Sequence, residues 1–130
     1  MVDLLLAFEH NVAPITNPID ALDAFVEFHI GFHTERKNEV LLASTELRSL
    51  TGNNHKKIVT RRNHYEMGVV TILRRGCEEQ VFAINNVKMT AYALIAMLTG
   101  VCTWYVPGGK VSRTELLGNY VDMARRLVKA

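Results

Sequence analysis

Neither charge of one sign, nor a cysteine framework, nor proline-rich linkers, nor repeats occur in this chain. Fifteen basic and 13 acidic residues leave a net charge of +2, so no global field points to a nucleic acid or an anionic membrane. The basic pairs Lys56-Lys57, Arg61-Arg62, Arg74-Arg75 and Arg125-Arg126 alternate with acids and read as solvated helix faces. The two cysteines, Cys77 and Cys102, make neither a disulfide framework nor a CxxC pair, which suits a reducing cytoplasm. Cys77 is followed by Glu78 and Glu79, neighbours that disfavour a reactive thiolate. HExxH, paired carboxylates and an activated nucleophile are all missing, so an enzyme is not expected and no cofactor is implied. The N-terminal MVDLLLAFEHN carries an early aspartate and no basic stretch, so it does not read as a signal peptide. Proline stands only at positions 14, 18 and 107. The chain reads as one domain over residues 1–130, large enough for a real core.

What the chain does have is a run without charge, from Met89 to Gly109, closed by Pro107-Gly108-Gly109. It is long enough to span a bilayer, but Thr90, Thr99, Gly100 and Thr103 dilute it and its flanks are charged and amphipathic, so no membrane is expected. Read as a helix it offers no polar face to solvent and has to be covered on all sides. Asn17-Pro18-Ile19-Asp20 is a helix start, and Ser112-Arg113-Thr114-Glu115 a capping box. The periodicity predicts helices over 4–12, 18–36, 39–50, 54–79, 86–105 and 113–128. Val81 to Ile84 is the one strand-like stretch and is too short to build a sheet. The expected fold is all-α, an antiparallel bundle of about six helices.

The uncharged helix carries distinct stripes. Ala93, Ala96, Gly100 and Thr103 form a small-residue face that lets another helix approach closely. Leu94, Leu98, Val101 and Tyr105 form a bulky stripe; Tyr92, Ile95, Thr99 and Cys102 form a third. One chain of six helices has one interior, so two covered faces imply a second copy; a central helix wrapped by its own domain is the alternative. His29 and His33, four apart on an apolar helix face, have the spacing of a two-ligand metal site, with His64 or Glu46 as a candidate third ligand. Satisfied core histidines are the plainer reading, and no metal is assigned. Glu46 and Arg62 on successive helices suit a half-buried ion pair.

FVEFHIGFHTERKNEVLLASTELRSL, then LRRGCEEQVFAINNVKMTAYALIAMLTGVCTWYVPGG and the S-x-x-E start at Ser112, together resemble the C-terminal half of tetracycline-repressor (TetR/AcrR) family regulators. The similarity runs from about Phe25 to Leu127 and is most specific at Glu46–Leu50 and Met97–Gly109. It implies an effector-binding domain that forms a homodimer through a four-helix interface. The dimer surface would use Ala93, Ala96, Leu98, Gly100, Val101, Thr103 and Tyr105, with Leu116, Leu117, Tyr120, Ala124 and Leu127 from the last helix. A cavity for a small hydrophobic effector would be lined by Phe25, Phe28, His29, Phe32, Tyr65, Val69, Tyr92, Ile95 and Thr99, with Trp104 at its mouth; a filled core is the alternative. Residues 1–12 resemble the tail of the helix that connects this half to a DNA-binding unit. The chain has no helix-turn-helix pattern of its own, so DNA is a partner only through that missing unit, in the cytoplasm. The subgroup closest to this ending includes sensors of acyl-CoA thioesters, but many of its members read WYRPGG where this chain has Val106. A headless dimerisation partner of full-length regulators, or a small helical metalloprotein using His29 and His33, are the competing functions.

Overall fold

A computed structural model of the chain describes residues 2–35 and 52–130. Within them lie five α-helices: α1 (Val2–Asn11), α2 (Pro18–Glu35), α3 (Gly52–Glu78), α4 (Val87–Thr99) and α5 (Arg113–Leu127), with a 3₁₀ turn (Gly100–Thr103) after α4. No strand occurs among the described residues. The expected helix over 39–50, the Glu46–Leu50 motif and the Glu46 end of the Glu46–Arg62 pair lie outside them.

The helix starts follow local chemistry. The Asn17 Oδ1 accepts from the backbone N–H groups of Ile19 (3.0 Å) and Asp20 (3.1 Å), which satisfies two of the donors that a helix start leaves open. Asn86 does the same for Met89 (2.9 Å) and Ser112 for Glu115 (3.1 Å). The end of α3 is a Schellman motif: Val81 N–H donates to the Gly76 carbonyl (2.9 Å) and Gln80 N–H to that of Cys77 (3.1 Å). Its left-handed position, usually glycine, is Gln80 at φ 62°. Gly76 is required because a Cβ there would stand 1.9 Å from the Phe82 ring.

The uncharged run departs from the expectation of one helix over 86–105. The α-helix ends at Thr99 and the chain tightens into 3₁₀ winding through Thr103. Glycine at position 100 is a weak helix former; its N–H is shared between the Ala96 and Leu98 carbonyls. The Thr103 hydroxyl then donates to the Gly100 carbonyl (2.7 Å). No helix among the described residues is long and apolar enough to cross a membrane.

α2 is the central element, packed on α1, α3, α4 and α5. Its Leu22, Phe25, Val26 and Ile30 meet Leu73 of α3, Leu94 and Leu98 of α4, Val101, and Val128 beyond α5, all fully buried. Each large apolar side chain buried in this way contributes about 1.5–3 kcal/mol. At the other side of α2, Arg125 of α5 grips Asp23 with both arms, Nε to Oδ1 (2.9 Å) and Nη2 to Oδ2, a bidentate pair of fixed geometry.

Candidate functional site

His29 is the most buried polar side chain of the described residues, 1% exposed, in the middle of α2. Its Nδ1 is 2.6 Å from the Tyr65 hydroxyl of α3 and its Nε2 is 2.8 Å from the Thr99 hydroxyl at the end of α4. Three helices thus meet on one imidazole. Phe25 packs against the ring from one turn earlier, and His33 stacks on it from one turn later, with centroids 3.8 Å apart. His33 Nδ1 donates to the His29 carbonyl (2.8 Å).

Burial, and then the neighbouring His33, hold the His29 pKa well below the ordinary value of 6.5. Burial also lowers that of His33 and drives that of Tyr65 well above 10.0. All three groups are therefore neutral near pH 7. A neutral imidazole has one donor and one acceptor, so one hydroxyl donates to His29 and the other accepts from it. The hydroxyl that accepts keeps its own hydrogen uncommitted. Leaving that hydrogen on the buried Tyr65 is costly, whereas Thr99 is half-buried and has no other partner among the described residues. The low-cost arrangement runs Tyr65 O–H to Nδ1 and Nε2–H to Thr99 Oγ1. It leaves the Thr99 hydroxyl hydrogen uncommitted among the described residues.

The other expected cavity residues divide. Phe25 and Val69 are fully buried, and Phe8 of α1 fills the space beside them, with its ring 6.0 Å from Phe25 and 5.4 Å from Tyr65. Phe28, Phe32 and Ile95 are half-buried against the core, Phe28 beside Phe8 and Phe32 beside His33. Tyr92 is 44% exposed and lines a separate cleft between α3 and α4 with Asn63, Glu66 and Val70. Trp104 is 48% exposed and touches Tyr105 edge-on, and Val106 is exposed beside it. Tyr92 and Trp104 are thus exposed rather than packed with His29: in α4 the inward positions are Ala91, Leu94 and Leu98, which turns Tyr92 outward.

The expected dimer residues also split. Leu98, Val101, Tyr105, Leu116 and Ala124 are buried in the protomer's own core and present no side chain to a second copy. Ala93, Ala96, Thr103 and Leu127 are exposed; Gly100, Leu117 and Tyr120 are half-buried. A Cβ added at Gly100 would meet nothing within 4 Å, so the small-residue stripe faces outward.

The metal candidates do not converge. Both His29 nitrogens are engaged by hydroxyls, and His33 turns Nδ1 back onto its own helix. His64 is exposed on α3, 3.9 Å from Glu9. No three metal-capable side chains gather among the described residues. The expected cavity set placed Thr99 with His29 and Tyr65, and the structure brings the three together although Thr99 is 70 residues from His29; the contribution of Phe8 from α1 was missed and has no local signature.

The family model described as tetracyclin repressor-like, C-terminal domain, matches residues 16–128. The chain belongs to this family. Its fold is similar to that of a tetR-family regulatory protein from Rhodococcus RHA1, with a TM-score of 0.87 at 21% identity over 97% of this chain and 66% of that one. It is similar as well to the TetR-family transcriptional regulator PfmR from Thermus thermophilus, TM-score 0.83 at 27% identity over 98% of this chain and 68% of that one. A third similar structure is AibR in complex with isovaleryl coenzyme A and operator DNA, TM-score 0.80 at 21% identity over 92% and 67%. The chain spans about two thirds of the length of these structures. No curated protein matches it.

Proposed function

We propose that this chain is the effector-sensing and dimerisation module of a transcriptional regulator, and that its effector is an apolar molecule with a neutral carbonyl. The observation that carries this reading is the Tyr65–His29–Thr99 junction, whose Thr99 hydroxyl keeps its hydrogen uncommitted, with Phe32 packed on the neighbouring His33. The isovaleryl coenzyme A bound by AibR supports an acyl thioester as the ligand class. The body of such a ligand would be held by apolar contact and its carbonyl by one hydrogen bond. A ligand that draws on Thr99 acts on α2, α3 and α4 together, which is the differential contact a switch needs. Regulation of DNA binding would pass through α1 to a DNA-binding unit in the whole protein.

Dimerisation would use the outward stripe of Ala93, Ala96, Gly100 and Thr103, extended by Leu117, Tyr120 and Leu127 of α5, against its twofold copy. A titration with isovaleryl coenzyme A, followed by calorimetry, tests the sensing role. Saturable binding that weakens about tenfold in Thr99→Val, with the unfolding temperature little changed, is the expected result. Equal binding by the wild type and Thr99→Val would remove Thr99 from the site. No binding of any short-chain acyl thioester would remove the ligand class.

A further inference from the structure

A second cleft lies along the seam between α1 and α3, away from His29. It encloses about 300 Å³, the lower end of the range for small-molecule sites. Its walls are Leu5 and Phe8 of α1 with Met67 and Ile72 of α3. Gly68 forms the floor: a Cβ there would stand 2.6 Å from the Phe8 ring, so the ring lies directly on the α3 backbone. The cleft follows α3 from His64 to Arg75, about 16 Å at the α-helical rise.

The two ends differ in charge. Glu9 lines one end, its carboxylate 3.9 Å from His64. Arg75 lines the other, half-buried. Its Nη1 donates to the carbonyls of Ile15 (3.2 Å) and Thr16 (3.4 Å). Among the described residues no carboxylate pairs with it, which leaves the Nε and Nη2 edge without a partner. Two carbonyls hold the guanidinium in place, and its side-on edge, the one that takes a carboxylate in bidentate fashion, has no partner among the described residues in a side chain that lines the end of the trough.

We propose that this cleft binds a medium-chain linear monocarboxylate, with the carboxylate on the Nε/Nη2 edge of Arg75 and the alkyl chain over Phe8, Gly68 and Ile72. Glu9 fixes the direction by repelling the carboxylate from the opposite end. Because Nη1 already anchors the fork, little side-chain freedom is lost on binding. The site is independent of the effector reading at Thr99, and it sits against α1.

The test is a titration of the intact chain with sodium decanoate below its micellar concentration, with decanol as the uncharged probe, followed by calorimetry and by chemical-shift changes. Saturable binding of decanoate, stronger than that of decanol, is expected. Arg75→Gln should weaken decanoate about tenfold or more and leave decanol unchanged, while Arg75→Lys should weaken it less. Thr71→Trp, which fills the cleft from an exposed position, should abolish both, and Thr99→Val should change neither. If Arg75→Gln fails to fold, the preference for decanoate over decanol and the Thr71→Trp result decide. No saturable binding, equal decanoate affinity in Arg75→Gln, or binding kept in Thr71→Trp and lost in Thr99→Val would each overturn the proposal. The last of these outcomes would move the carboxylate to the His29 junction.

Discussion

The two faces of α4 are built from equally uncharged residues and yet have opposite fates. On one side Ala91, Leu94 and Leu98, continued by Val101, have no exposure at all. On the other, Ala93 and Ala96 stand in the open, and Gly100 has nothing near its missing side chain. Side-chain size, not polarity, separates Leu94, Leu98 and Val101 from Ala93, Ala96 and Gly100, with Ala91 the one small residue on the buried side. Bulky residues fill a core to native density, whereas small residues keep a backbone within reach of another helix. Apolar character alone therefore does not mark the interior of a protomer.

Substitutions on the two faces should separate stability from assembly. The largest effect is expected for Leu94→Ala, which leaves a cavity in the filled face and should cost about 2–5 kcal/mol of unfolding free energy in urea titrations. Ala96→Glu should do the reverse. It should hold the protomer's secondary structure and unfolding slope while light scattering reports a monomer, because two facing carboxylates cost several kcal/mol in a twofold interface. A dimer that survives Ala96→Glu would overturn the outward face as the interface.

A smaller effect tests the polar junction beside the buried face. His29 and His33 both titrate below 6.5 in the folded chain because burial penalises their charged forms. The unfolded chain therefore takes up protons first as the pH falls. Their contribution to stability is fully present above about pH 6.5 and is lost as the pH drops towards the folded-state values. The slope is up to about 1.4 kcal/mol per pH unit for each histidine. Denaturation midpoints measured between pH 7.5 and 5 should show it, and His33→Gln should flatten the profile; an unchanged profile would dispose of the explanation. The smallest effect is a gain: Gln80→Gly relieves a left-handed residue and should add about 1 kcal/mol. It lies off both faces, so it should leave assembly and the pH profile alone.

Helix identities were legible because caps and periodicity are local. Asn17, Asn86 and Ser112 start their helices as their side-chain chemistry predicts. The resemblance carried by WYVPGG and its flanks led to the family that the comparisons establish. The direction of each stripe was less legible. Leu98, Val101 and Tyr105 were expected at a dimer surface, but the phase of α4 on its own protomer is set by contact with α2, and no residue of α4 announces that contact. His29, Tyr65 and Thr99 were expected to line one cavity, not to bond to one another. Thr99 as the third member depends on how α4 lies across α2, which only the tertiary packing fixes.

The Asp23–Arg125 grip has a mechanical consequence. Asp23 lies on the same helix as His29, about 9 Å along its axis, and its two oxygens are held by a guanidinium carried on α5. A two-point clasp resists pivoting as well as separation, so α2 and α5 turn as one lever. If α5 forms the proposed interface, a tilt imposed at the imidazole would reach Leu117 and Leu127 through this clasp rather than through a loop. Loosening the clasp with Arg125→Gln would put a hinge into that lever without touching either of its ends.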